Sequence, residues 1–343
     1  MKRDRYLTGG GYAAVLLLLL ALLVLMAVFS ISCGRYYIEP QQVVRILING
    51  IHPLDQTWPA QAASVIYTLR LPRVIAAVMI GAALALSGAS YQSVFKNPLV
   101  APDMLGVSSG ACVGASVAIL LGISQAGIQV FAFVGGLAAV ICAVSIPRII
   151  GKNSIVMLVL AGIIVGGLMN SVIGILKYMA DTETQLPAIT YWQLGSLSGV
   201  VWSNIFYSGI PIALCILFMM LIRWRMNILT LSEEEAHMLS THAGRLRYAV
   251  ILCATILTAC SVCVSGTIGW VGLVIPHFSR LLVGANNQRL LPVSVILGAL
   301  FLLLIDTLSR AAMNAEIPLS ILTGLIGAPF YFFLLVRQRL SLS

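Results

Sequence analysis

Apolar residues in this chain fall into long unbroken runs rather than alternating stripes. Ten runs qualify as membrane spans, at about 12–32, 74–95, 104–123, 126–146, 155–176, 205–222, 248–266, 267–283, 290–309 and 317–336. A span takes about 20 apolar residues to cross roughly 30 Å of hydrocarbon. Lipid offers no partner to a backbone N–H or C=O, so each run is predicted to be a helix, and the alternation of a transmembrane barrel is absent. The predicted fold is all-α and integral to the membrane. It is a single transmembrane domain over 1–343, with no linker long enough to detach a second module.

Three polar stretches interrupt the runs, at 33–70, 177–204 and 232–247. Trp192 and Trp202 in the second suit an interfacial aromatic belt. Spans 2–5 and 7–10 are two sets of four that begin on opposite sides of the membrane, so a repeat relating them is inverted. Glycine- or proline-interrupted spans at equivalent positions of such repeats mark many transporters. Span 3 opens with Gly106, Gly110 and Gly114, and its counterpart, span 8, carries Gly266, Gly269 and Gly272 followed by Pro276 and His277. Pro276 removes a backbone hydrogen bond, so a structural break is expected around Gly269, Gly272, Pro276 and His277. Glycines four apart let another helix approach closely, which serves plain packing and gating shifts equally.

Hydrophobic residues make up 60% of the chain and charged ones 9%, with a net charge of +9. With the N-terminus inside, Lys2, Arg3, Arg5, Lys96, Arg148, Lys152, Arg223, Arg225, Arg245, Arg247, Arg280, Arg289, Arg337 and Arg339 are cytoplasmic. Only Arg35, Arg45, Arg70, Arg73, Lys177 and Arg310 fall outside. That asymmetry obeys the positive-inside bias and puts both termini in the cytoplasm. The basic charge is thus a topology signal, and no nucleic-acid partner is expected. The first run is too long for a signal peptide and lacks a small-x-small cleavage site, so it reads as an uncleaved helix. Six of the seven cysteines sit inside runs, Cys260 and Cys263 among them, and read as small packing residues without a disulfide framework.

The longest charged stretch is Ser232 to Arg247. Ser232 and Glu235 fit a capping box, and Glu233, Glu234 and Glu235 together oppose the positive helix end. Ala236 and Leu239 add a small apolar face. A cytoplasmic helix over about 232–242 is expected, either lying on the bilayer or docking another protein. His237 and His242 are five apart, off the spacing of paired ligands, so no metal site is expected. Asn97, Pro98 and Leu99, between spans 2 and 3, form either a tight turn or the inner mouth of a pathway. Asp306 and Arg310 are four apart and pair within their helix, or Arg310 faces outward with Arg70 and Arg73, guanidiniums suited to capturing carboxylates. His277 reads as a hydrogen-bonded structural histidine or a proton relay.

No GxxxxGK[ST] or HExxH occurs, so the chain is expected to be no enzyme and to bind no ATP through a P-loop. Asp306, next to a span end, is the one acid within a span, which weakens the alternative of an ion-coupled secondary transporter. A pore driven by another protein is the better expectation.

Several segments resemble the permease subunits of ABC importers for iron–siderophores, haem and cobalamin, the FecCD type. They are LRLPR at 69–73, GAALALSGASYQSVFKNPLVAPDMLGVSSGA at 81–111, LAG at 160–162, GSLSG at 195–199, GTIGWVGLVIPHFSRLLVG at 266–284 and EIPLSILTGLIGAPFYFFLL at 316–335. The resemblance spans about 64–338 and implies a multi-pass homodimer in the inner membrane, surrounded by lipid. It further implies two cytoplasmic ATPase subunits carrying ATP and Mg, an external substrate-binding protein, and no cofactor on this chain. Residue by residue, it implies that Arg70, Arg73 and Arg310 dock binding-protein glutamates. The segment from Glu234 to Leu239, with Glu233 beside it and Ala236 within it, is similar to the coupling helix. Asn97, Pro98 and Leu99 match the inner gate. Ser240 stands where the family usually has glycine, which changes local helix termination. The path is expected along the dimer axis, lined by span 5. The implied cargo is a ferric siderophore first and haem second, with cobalamin or an oxyanion also compatible.

Overall fold

The computed structural model describes residues 9–340 except 35, 152–153, 232–234, 236–237, 239–242 and 314. The helices are α1 (Gly9–Ser32), α2 (Pro40–Asn49), α3 (Ala60–Phe95), α4 (Val107–Leu120), α5 (Gln125–Ile150) and α6 (Ile155–Met179), then α7 (Gln185–Leu194), α8 (Trp202–Ile222), α9 (Ala243–Ser265), α10 (Val271–Val283), α11 (Asn287–Ala311) and α12 (Leu319–Leu340). Seven of these are long and apolar enough to cross a membrane, and α4, α10 and α12 contribute three shorter apolar stretches. Together they account for the ten predicted spans. The remaining two, α2 and α7, are ten-residue helices in the polar stretches.

Burial sorts the helices into layers. In α3, α9 and α11 the most apolar windows are 83%, 72% and 67% buried, against 17% in α1 and α6. The central helices bond to each other through small hydroxyls: Ser87 Oγ donates to Ala254 O at 2.9 Å, and the Tyr91 and Thr255 hydroxyls meet at 2.8 Å. Such pairs satisfy polar groups that lipid cannot. Around this centre α3 packs on α10 and α11 as α9 packs on α4 and α5, the pairing an inverted repeat requires.

The sequence reading placed the start of span 2 near residue 74, yet the helix begins at Ala60 and continues through a π-helical turn at Val65–Arg70. The N–H of Leu71 reaches five residues back to Ile66 O. Pro72 follows at once and has no N–H to offer, so the wider turn accommodates it without ending the helix. The arginines that made this stretch look like a loop are in fact buried.

The interrupted spans are the two shortest. A 3-10 turn at Pro102–Leu105 and Gly106, at φ 78°, precede α4. Gly266, at φ 68°, and Trp270, at φ 69°, bound the break before α10. A positive φ at a tryptophan is strained backbone. The break therefore lies at 266–270 and not at Pro276, which the helix passes through. Pro276 removes the helical donor to Gly272 O, four residues back, and Gln92 Nε2 supplies a bond to that carbonyl at 3.3 Å.

Candidate functional site

The end holding Arg310 is called outer and the end holding Lys96 inner, after the charge asymmetry. Arg310 Nη2 bonds Ser30 Oγ at 2.7 Å, so α1 and α11 finish together at the outer end.

At that end the three singled-out arginines converge, but none simply faces solvent. Arg73 donates its Nε to Asp306 Oδ1 at 2.9 Å and grips Glu316 with both remaining nitrogens, at 2.7 and 2.9 Å. Arg310 Nε donates to the other oxygen of Asp306 at 3.2 Å, while its Nη1 and Nη2 donate to the carbonyls of Cys33 and Ser30 at 3.3 and 3.1 Å. Asp306 is fully buried and bridges two guanidiniums, so the expected Asp306–Arg310 pair is half of a larger network. Arg70 is buried as well, bonded to the carbonyls of Ile31 at 2.5 Å, Ser32 at 3.2 Å and Tyr36. Gly34 makes room for it: at φ +147° a Cβ there would stand 2.7 Å from Arg70 Nη2. Burying three cations is tolerable only because carboxylates and carbonyls surround them.

Two hollows flank this network. One, of about 670 Å³, is open and bordered by Cys33, Gly34, Tyr37, Arg310 and Met313. The other, of about 580 Å³, lies between α5, α7 and the start of α12, and its lining includes Gln129, Tyr191, Trp192, Ser196, Ser198 and Glu316. Backbone and hydroxyl bonds fasten the start of α12 to the end of α7: Leu319 N to Gly195 O at 3.0 Å and Ser320 Oγ to Leu194 O at 2.8 Å.

At the inner end, α3 closes on Lys96 in the left-handed conformation at φ 52°. Asn97, Pro98 and Leu99 then form an exposed turn in which Asn97 Oδ1 accepts from Leu99 N at 2.9 Å. Leu99 is 56% exposed. The turn is tethered from behind by Gln92 Nε2, which donates to Val100 O at 3.2 Å and to Gly272 O at 3.3 Å. His277 stacks edge-on against Tyr331 with ring centroids 5.9 Å apart, and its Nδ1 is buried without a hydrogen-bond partner among the described residues. It is thus a packed ring at Nδ1, not the hydrogen-bonded one expected. Gly272 packs against Pro102, while Gly269 has open space around its Cα.

Glu233, Glu234, Ala236 and Leu239 lie outside the described residues. No group of three or more His, Cys, Asp or Glu is placed to hold a metal among the described residues.

The sequence reading missed Glu316 and Gln92. A signal for Glu316 existed: after Glu235 the chain has only two acids, Asp306 and Glu316, against seven arginines. Buried arginines near a span end should have drawn both.

The FecCD transport family model matches residues 22–337. The molybdate import system permease protein MolB of Haemophilus influenzae is 40% identical, covering 96% of this chain and 97% of that protein. The hemin transport system permease protein HmuU of Yersinia pestis is 36% identical over 94% of this chain and 95% of its own. The cobalamin import system permease protein BtuC of Halobacterium salinarum is 39% identical over 84% and 77%. An inward-facing structure of an ABC transporter of metal-chelate type superimposes with a TM-score of 0.85 at 39% identity, covering 95% of this chain and 99% of that one. With ten apolar helices and two interrupted spans, the chain belongs to the FecCD transport family as a multi-pass membrane permease subunit of an ABC importer, a family whose permease subunits are not themselves enzymes.

Proposed function

We propose that two copies of this chain form a pore along their common axis that carries a ferric chelate, haem or cobalamin inward, with a ferric siderophore as the first expected cargo. Molybdate is a second reading, favoured by the 40% identity to a molybdate permease over nearly the full length. ATP and Mg act on a partner ATPase, and this chain holds no cofactor.

The observation that carries the pore reading is on α6. Asn170 and Ser171 are exposed in the middle of this helix, among the exposed Ile163, Ile164, Leu168 and Ile175. An unpartnered amide facing lipid costs roughly 2–7 kcal/mol, so this face is better matched to a second copy or to water. A homodimer joined there would line its axis with α6. The exposed turn at Asn97, Pro98 and Leu99 then forms the inner gate. Arg70, Arg73 and Arg310 mark the outer docking face for the binding protein. The segment at about 232–242, through Glu233, Glu234, Ala236 and Leu239, transmits motion from the ATPase, with both chain termini in the cytoplasm.

Reconstitution with the partner ATPase and binding protein tests this. Uptake should require ATP, and Glu234→Ala and Leu239→Ala should abolish uptake while ATP hydrolysis persists. The spectrum of the loaded binding protein identifies a ferric chelate, haem or cobalamin, and calorimetry identifies molybdate. Uptake that survives ATP depletion and collapses with the proton gradient would instead establish a secondary transporter.

A further inference from the structure

Arg73 forms a two-pronged carboxylate seat at the outer end, and Glu316 fills it. The two carboxylates on Arg73 differ in access: Asp306 is wholly buried, whereas the Glu316 side chain is 39% exposed. Glu316 also sits on the short linker between α11 and α12, and it borders the cavity of about 580 Å³. That linker is pinned to α11 by Ser309 Oγ to Ile317 O at 2.6 Å, and beyond it α12 is pinned to α7. One acid therefore touches a cation network, the rim of a cavity and the start of a helix.

We propose that Glu316 is an internal stand-in: it occupies the Arg73 seat in the resting chain, and an acidic side chain of the protein docking on the outer face takes its place. Release of Glu316 then frees the 312–318 linker and loosens α12 against α7 at the cavity rim. The inference rests on the reading of this face as a docking surface and adds the step that docking performs.

The chemistry favours exchange. A partner carboxylate would make the same bidentate pair that Glu316 makes, so the swap itself is close to neutral and the rest of the interface supplies the drive. The network holds three guanidiniums and two carboxylates, and the bonds that hold Arg70 go to neutral carbonyls, so the face carries an excess cation. That excess attracts an acidic partner. The open hollow of about 670 Å³ beside Arg310 gives the partner a place to seat.

The test measures affinity of the binding protein for the assembled transporter in nanodiscs, together with labelling of Ser198→Cys at the cavity rim by a membrane-impermeant maleimide. Glu316→Gln should tighten binding about three- to tenfold, more so at low salt, because one competing charge is gone. It should also speed labelling of Ser198→Cys without the binding protein present. If Glu316→Gln does not fold, Glu316→Asp shortens the arm and should act in the same direction more weakly. Met313→Cys, 66% exposed on the same face, reports separately whether the binding protein docks here, through cross-linking. Cross-linking with unchanged or weaker binding by Glu316→Gln would overturn the stand-in role alone. Absence of cross-linking together with unchanged binding would overturn the docking reading, and the stand-in role with it.

Discussion

Arg280 Nη2 donates to Gln92 Oε1 at 2.6 Å, and the same amide donates onward to the carbonyls of Val100 and Gly272. One buried side chain thus ties the turn after α3 to both ends of α10. Replacing it by leucine keeps the volume and removes all three bonds, leaving two carbonyls and a guanidinium short of partners. The cost should be about 1–3 kcal/mol, felt mainly in the turn. In a Leu99→Cys background, Gln92→Leu should raise the thiol modification rate several-fold. An unchanged rate would mean that the turn is held by other contacts.

Gly88 and Gly272 bring α3 and α10 together backbone to backbone. A Cβ on Gly88 would lie 1.9 Å from the carbonyl oxygen of Gly272, so one helix must move to admit it. Gly88→Ala should destabilise the purified protein by about 1–3 kcal/mol, the usual cost of overpacking. Gly174→Ala on α6, where nothing lies within 4 Å, is the comparison. It should be neutral or stabilising by about 0.5–1 kcal/mol, since glycine is a poor helix residue. The thermal midpoint of Gly88→Ala should fall, while that of Gly174→Ala should hold or rise.

Asp306 bridges Arg73 and Arg310 from a fully buried position. Asp306→Asn preserves shape but leaves two guanidiniums facing a neutral amide. Removing one member of a buried charge network costs about 3–5 kcal/mol. Yield of folded protein and its thermal midpoint should fall sharply, and adding Arg310→Gln should recover part of the loss. If the double variant is as unstable as the sum of the singles, the two residues are not coupled.

The spans were legible because lipid leaves the backbone no alternative to a helix, so apolar length alone predicted ten of them. The two interrupted spans were legible from glycines such as Gly106 and Gly266. What spacing could not supply was the partners. Arg73 finds Asp306 and Glu316 across 233 and 243 residues, and Arg70 finds its carbonyls 34 to 39 residues away. Without those partners, Arg70 and Arg73 looked like loop residues and α3 seemed to begin after them. Gln92 was equally hidden, a lone amide in a run of small residues whose role depends on where Val100 and Arg280 come to rest. Proline misled because its cost was met from another helix: the Gly272 carbonyl that Pro276 leaves without a helical donor accepts from Gln92.

The exposed amide of Asn170 sets the last prediction. On an isolated protomer it faces outward from the middle of α6, flanked by exposed Leu168 and by Ser171, whose hydroxyl is already spent on Gly167 O at 3.1 Å. If α6 lines a path shared by two copies, Asn170 from each copy approaches the axis and meets water or cargo there. Asn170→Leu should then leave stability unchanged while reducing uptake several-fold, because a polar surface is lost where a solute passes. Asn170→Cys should cross-link two copies with a bifunctional maleimide, and the cross-linked pair should be inactive. If instead Asn170→Leu transports normally and Asn170→Cys never cross-links, α6 faces lipid and the axis must be lined by another helix.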